Sequence, residues 1–222
     1  MTISDPQTRV GCDVQDMRLI HRVFRAVFAE APALVAGVAD GDRRHAEAVG
    51  RHLRELIASL HHHHRTEDVL LWDALTQRAP ACGLHVAVMK DQHGQMAGLL
   101  TVAEESIAAW AASASASDRE AVRQAMAAID VSLRTHLADE ETFILPVASV
   151  SMSQGEWDRI GEFARKEAKP SMLFPQLGFM LDALGPDDGD RFLRETMPAP
   201  VRLLWNTIGK GVYRRYRARL LG

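Results

Sequence analysis

Two stretches of the chain carry the same donors at the same spacing: His63-His64-Arg65-Thr66-Glu67 and His136-Leu137-Ala138-Asp139-Glu140, each a histidine followed four residues later by a glutamate. On a helix this spacing stacks an imidazole and a carboxylate on one face, a turn apart. Such a pair is half of a metal site, and the chain holds two of them. Either alone would read as a surface pair. Their place in the hydrophobic pattern says otherwise.

Steps of three and four residues trace four apolar seams. One runs Leu53, Leu56, Leu60, His63, Glu67, Leu70, Ala74, and another Val122, Met126, Ile129, Leu133, His136, Glu140, Phe143, Val147, Val150. Two more carry a single histidine each, His21 between Met17 and Phe24, and His93 between Met89 and Met96. This is the period of amphipathic helices, with His21, His63, Glu67, His93, His136 and Glu140 standing where core side chains belong. Unpartnered buried imidazoles and carboxylates are costly, so these six need something to pair with, and a metal centre meets that need. Counted from turns near residues 40, 80 and 115, the six fall within about a turn of one level of an up-down-up-down bundle.

The punctuation places the elements. Helices are expected from Asp13 or Asp16, as cap, to about Val38, then over 43–78, 84–112 and, capped by Asp118, from there to about 149, with Pro146 marking a kink or an early end. The fold class is all-α: a four-helix bundle over 13–150 and, over 151–222, a helical extension packed on it, with helices near 154–169, 170–184, 187–196 and 200–221. Within the extension Phe174, Leu177, Phe179 and Met180 read as core, and Trp205, Tyr213 and Tyr216 as aromatics packed inward while the neighbouring arginines stay in water.

Composition bounds the function. With 222 residues, 47% of them hydrophobic, 25% charged and a net charge of −3, the chain has no basic bias toward nucleic acid. The N-terminus, Met1 to Gly11, lacks an apolar leader, and no apolar run is long enough for a membrane span, so a cytoplasmic location is expected. Cys12 and Cys82 make no disulfide framework and are expected as reduced thiols at one end of the bundle.

Imidazoles with two carboxylates are too oxygen-poor for calcium or magnesium, and without thiolates they do not suit structural zinc. Mixed nitrogen and oxygen ligation suits iron or manganese, with carboxylates on opposing helices able to bridge two ions. Six protein donors leave positions open for dioxygen, peroxide or nitric oxide.

The order His21, His63 with Glu67, His93, His136 with Glu140, and the ending Glu-Glu-x-x-x-Leu-Pro over 140–146, resembles the hemerythrin-like (HHE cation-binding) domain family across roughly residues 13–150. The resemblance implies two iron ions in a non-haem, oxo- or hydroxo-bridged diiron centre, favoured over manganese or zinc. The six residues would be its ligands, with Glu67 and Glu140 as bridges. Two departures stand out. Oxygen carriers of the family have a fifth histidine four residues before the helix-three ligand, where this chain has Met89. They also place the last carboxylate five residues after its histidine, which would select Glu141 where the seam selects Glu140. The missing imidazole would leave both metals accessible, which fits redox or nitrosative chemistry better than reversible carriage.

Around the six, His61, His62 and His64 are expected in solvent or behind the ligands, although His64 with Asp68 is a competing pair. His45, His52 and His85 are expected at the surface. Asp68, Asp91, Asp139 and Glu141 are placed to accept from ligand imidazoles. Three functions follow: an oxidoreductase acting on peroxide or nitric oxide, a sensor or storage module for oxygen, nitric oxide or iron, and a diiron oxygenase with an organic substrate. With no flavin, nicotinamide or iron–sulfur motif, electrons would come from a donor protein or from peroxide itself. The expected partners are thus a small diatomic ligand or peroxide and an electron-donor protein, rather than nucleic acid or membrane.

Overall fold

The computed structural model describes residues 10–166 and 169–222. The N-terminal reading falls largely on residues 1–9, outside those described, as do residues 167–168 of the helix expected to reach 169. Among the described residues no helix is long and apolar enough to cross a membrane.

Four long helices form the up-down-up-down bundle: α1 (Gln15–Ala36), α2 (Arg43–Leu70, continued after a break at Leu71 by the short α3, Trp72–Arg78), α4 (Gly83–Ser113) and α5 (Ala116–Asp139). Neighbours run round a square, α1 against α2, α2 against α4, α4 against α5 and α5 back against α1. Side-chain caps set two of the starts. Asp42 accepts from the His45 backbone N–H ahead of α2, and Ser115, rather than the expected Asp118, caps α5 by accepting from the Asp118 N–H. No side chain caps α1 at its N-cap, Val14, and Asp13 and Asp16 instead accept from the backbone N–H groups of Gln15 and Met17.

The fourth helix holds a register change that the periodic pattern does not contain. A π-helical turn, Glu140–Ile144, joins α5 to α6 (Leu145–Ser151). The Leu145 N–H bonds back five residues to the Glu140 carbonyl. Pro146 has no N–H to give and would crowd the carbonyl four residues before it, and the wider turn accommodates both effects, so the helix neither ends nor breaks there. The extra residue rotates everything after it. Ile144, Leu145 and Ala148 are buried, whereas Phe143 and Val150, expected on the seam, are 41% and 70% exposed. Phe143 lies flat against the exposed His85.

The remaining elements are α7 (Gln154–Arg165), α8 (Leu173–Leu184), α9 (Pro186–Thr196), α10 (Ala199–Leu204) and α11 (Lys210–Leu221), with a second π turn, Trp205–Gly209, between the last two. A capping box, Ser153 with Glu156, starts α7. Helix α8 packs on α1 and α11, and α11 on α2. Here the aromatics face inward: Phe179, Trp205 and Tyr213 are buried, and Arg217 pairs through both terminal nitrogens with Glu30 of α1 at 2.6 and 2.7 Å. His52 departs from expectation. It is 2% exposed, with Nδ1 3.1 Å from the Tyr216 hydroxyl and its ring stacked on Phe179, because α8 and α11 cover a face of α2 that an isolated bundle would leave in water.

The apolar core comes in two clusters. One, with Phe28, Leu53, Leu100, Ile129 and Trp110, takes in the residues of α8–α11, and the other, with Met17, Trp72, Met89, Ile144 and Leu145, takes in Trp157 and Ile160 of α7. Cys82 is buried in the second cluster and Cys12 packs at its edge, both as free thiols.

Candidate metal centre

Between the two apolar clusters, the four bundle helices turn polar side chains inward at one level. Helix α1 gives His21, α2 gives His63, His64 and Glu67, α4 gives His93, and α5 with its π turn gives His136 and Glu140. The donor atoms of His21, His63, Glu67 and Glu140 lie within 4.8 Å of one another, and so do those of His64, His93 and His136. The six seam residues, joined by His64, meet as two donor groups, each drawn from three helices: α1, α2 and the π turn after α5 for one, and α2, α4 and α5 for the other.

Glu67 lies between the halves, Oε1 3.1 Å from His63 Nε2 and Oε2 3.4 Å from His93 Nε2. Glu140 does the same across the other pair, with Oε2 3.2 Å from His21 Nε2 and 3.9 Å from His136 Nε2. These contacts lack hydrogen-bond geometry. The Nε2 atoms of His21, His63, His64, His93 and His136 and all four carboxylate oxygens are buried without a hydrogen-bond partner. Nine such atoms facing one space in a dry interior would be strongly destabilising, a penalty that cations seated among them would remove.

Outer contacts fix the imidazoles so that lone pairs point inward. His21 Nδ1 is 3.0 Å from Glu141 Oε1, His93 Nδ1 2.8 Å from Asp68 Oδ1, and His136 Nδ1 3.0 Å from Gln92 Oε1. A carboxylate or amide oxygen can only accept, so Nδ1 carries the proton and Nε2 is free to ligate. Of the four expected acceptors, Asp68 and Glu141 take this role. Asp139 stands one step back, accepting from the Gln92 amide at 2.8 Å, and Asp91 is exposed and bonded to Gln95. Arg25 donates to the same Glu141 oxygen at 2.7 Å.

Electrostatics agree with a ligand set. Burial pushes the His63 and His64 imidazoles well below their ordinary range and His136 down to about 4, so all three are neutral, the form that binds metal. Burial also lowers His21, but the Glu140 and Glu141 carboxylates outweigh it and hold it up at about 9. Burial and the neighbouring Glu140 charge push Glu67 well above the carboxylate range.

Two parts of the site were only partly legible or missed. His64, read as solvated or behind the ligands with a competing pairing to Asp68, is 5% exposed, its ring stacked on His93 with centroids 4.2 Å apart. The signal was the four-histidine run itself, since neighbouring helix positions differ by about 100° and a corner helix faces two partners. Gln92 carries no charge to mark it. His62, expected in solvent or behind the ligands, is half-buried, with Nε2 2.9 Å from the Ala164 carbonyl of α7. Met89 is buried among apolar residues of the second cluster. Glu140 occupies the interior and Glu141 the outer position.

The sequence model of the hemerythrin HHE cation binding domain family matches residues 12–148, well over half of the chain. No curated protein and no solved structure matches.

Proposed function

Taking as premise that the chain belongs to the hemerythrin HHE cation-binding family, we propose that it holds two iron ions in a non-haem diiron centre. His21, His63, Glu67, His93, His136 and Glu140 are the ligands, and the centre reacts with peroxide, dioxygen or nitric oxide. The observation that carries this reading is the set of buried, unpartnered Nε2 and carboxylate atoms facing one space from four helices. Iron held there would supply one-electron redox chemistry and room to bind small ligands.

The chain's own residues do the rest. Glu67 and Glu140, each lying against imidazoles of both halves, would serve as the carboxylates shared between two ions. Asp68, Glu141 and Gln92 orient three imidazoles and raise their basicity. The two apolar clusters keep bulk water from the ends of the layer. A cleft of about 510 Å³ reaches His64 and His93 from outside, and its rim of His61, Arg65, Asp68 and Lys90 is polar. That rim favours a small polar reactant over an apolar organic substrate.

Metal analysis of protein purified without chelators, with optical spectra in air, after dithionite and with azide, tests the centre. Two irons per chain with charge-transfer bands support it, and metal content unchanged in Glu67→Ala and Glu140→Ala overturns it. Catalase and nitric-oxide turnover assays then separate a redox enzyme from a sensor or storage module.

A further inference from the structure

We propose that His64 is a seventh donor, a fifth imidazole supplied by α2, so that the two metal positions are unequal. The inference rests on the diiron reading above and adds a ligand to it. His64 follows the ligand His63 directly in sequence, and the two rings turn to different neighbours. His63 faces α1, with ring centroids 5.4 Å from His21 and 5.1 Å from Phe24, whereas His64 faces α4 and α5, 4.2 Å from His93 and 4.9 Å from His136. A helix at the corner of a square bundle meets its two neighbours at about a right angle, which two consecutive positions, about 100° apart, can serve separately.

The second observation is chemical. His64 Nε2 is buried and has no hydrogen-bond partner, and it converges with donor atoms of His93 and His136 within 4.8 Å. A ring that only filled space against His93 would have no reason to hide a polar atom there. The other side of the residue lines the polar cleft with His61 and Lys90, so His64 stands between that cleft and the polar layer.

The consequence is an asymmetry. The α4–α5 side has three imidazoles and the α1 side two, His21 and His63, while Glu67 and Glu140 can serve both. The α1 side is therefore the poorer in protein donors and the one with more room for an added ligand. Accessibility of both positions, expected from the methionine at residue 89, gives way to one favoured side.

The test uses full-length protein loaded anaerobically with iron(II). His64→Phe keeps a flat ring against His93 without a donor, His64→Ala leaves a ring-sized gap beside the cleft, and His61→Ala is the control. The expected result is a loss of the asymmetry: in both His64 variants the two iron environments of the loaded protein converge in the Mössbauer spectrum, while His61→Ala keeps the wild-type spectrum. Free imidazole should restore the two environments in His64→Ala but not in His64→Phe. Retention of the wild-type spectrum in His64→Phe overturns the proposal, as does a loss of asymmetry in His64→Ala that imidazole does not repair. Mössbauer spectra of the loaded wild-type protein give an answer that needs no variant: two iron environments of equal area support the asymmetry, and a single environment overturns it. Wild-type protein that takes up no iron would instead end the diiron reading itself.

Discussion

Asp68 accepts from His93 Nδ1 at 2.8 Å, and the same oxygen accepts from Trp72 Nε1, also at 2.8 Å. The carboxylate is part-exposed, but both of its partners are buried, and the shared oxygen locks one imidazole tautomer against a fully buried indole. Removing an outer partner of a metal-bound histidine typically weakens metal binding about 10- to 100-fold. Asp68→Ala should show that loss in chelator-competition titrations, with a shift in Trp72 fluorescence. Affinity unchanged from wild type would mean that Asp68 does not orient His93.

Glu67→Gln separates folding from loading. Burial and Glu140 disfavour the Glu67 charge, so in metal-free protein the amide, of the same shape and uncharged, should cost nothing. Metal-free Glu67→Gln is expected to melt at or above the wild-type temperature. Iron, which stabilises whatever binds it in the folded state, should raise the wild-type melting temperature and leave the variant's nearly unmoved. An equal iron-induced rise in both proteins would remove Glu67 from the ligand set.

His52 predicts an acid sensitivity of its own. Burial lowers its imidazole to about 4, against an ordinary 6.5 in the unfolded chain. Its contribution is intact above pH 6.5. Below that the unfolded chain takes up the proton first, and stability falls until pH about 4, by about 3 kcal/mol in all. Denaturant unfolding at pH 7 and pH 4.5 should show a smaller acid loss in His52→Phe than in wild type. The difference between the two proteins isolates this residue from His63, His64 and His136, which burial also lowers.

The π turn predicts a contrast between neighbours. Phe143→Ser removes an exposed ring and should cost under about 1 kcal/mol, whereas Ile144→Ala empties a fully buried site and should cost about 2–4 kcal/mol. Chemical denaturation of the two variants measures this. The reverse order would restore the uninterrupted seam.

Four helices and the level of their polar residues were legible because a step of three and four residues is a property of the chain alone. His21, His93 and the two histidine–glutamate pairs interrupt that step and so announce themselves. What escaped depends on how the elements meet. His64 is off the seam of α2 by one position and is buried only because α4 lies on that flank. His52 is covered by α8 and α11, elements distant in sequence. The shift at Phe143 comes from a single widened turn ahead of Pro146, to which a fixed period is blind.

The divided core gives the C-terminal segment a meaning. Helix α7 belongs to the apolar compartment on one side of the polar layer and α8–α11 to the compartment on the other, so the chain beyond Ser151 straddles the storey where the donors lie. His62, next to His63, holds the Ala164 carbonyl near the end of α7. Loading that storey should therefore quieten amide exchange in α7 as well as in α2, making the outer strap a mechanical witness to what happens inside.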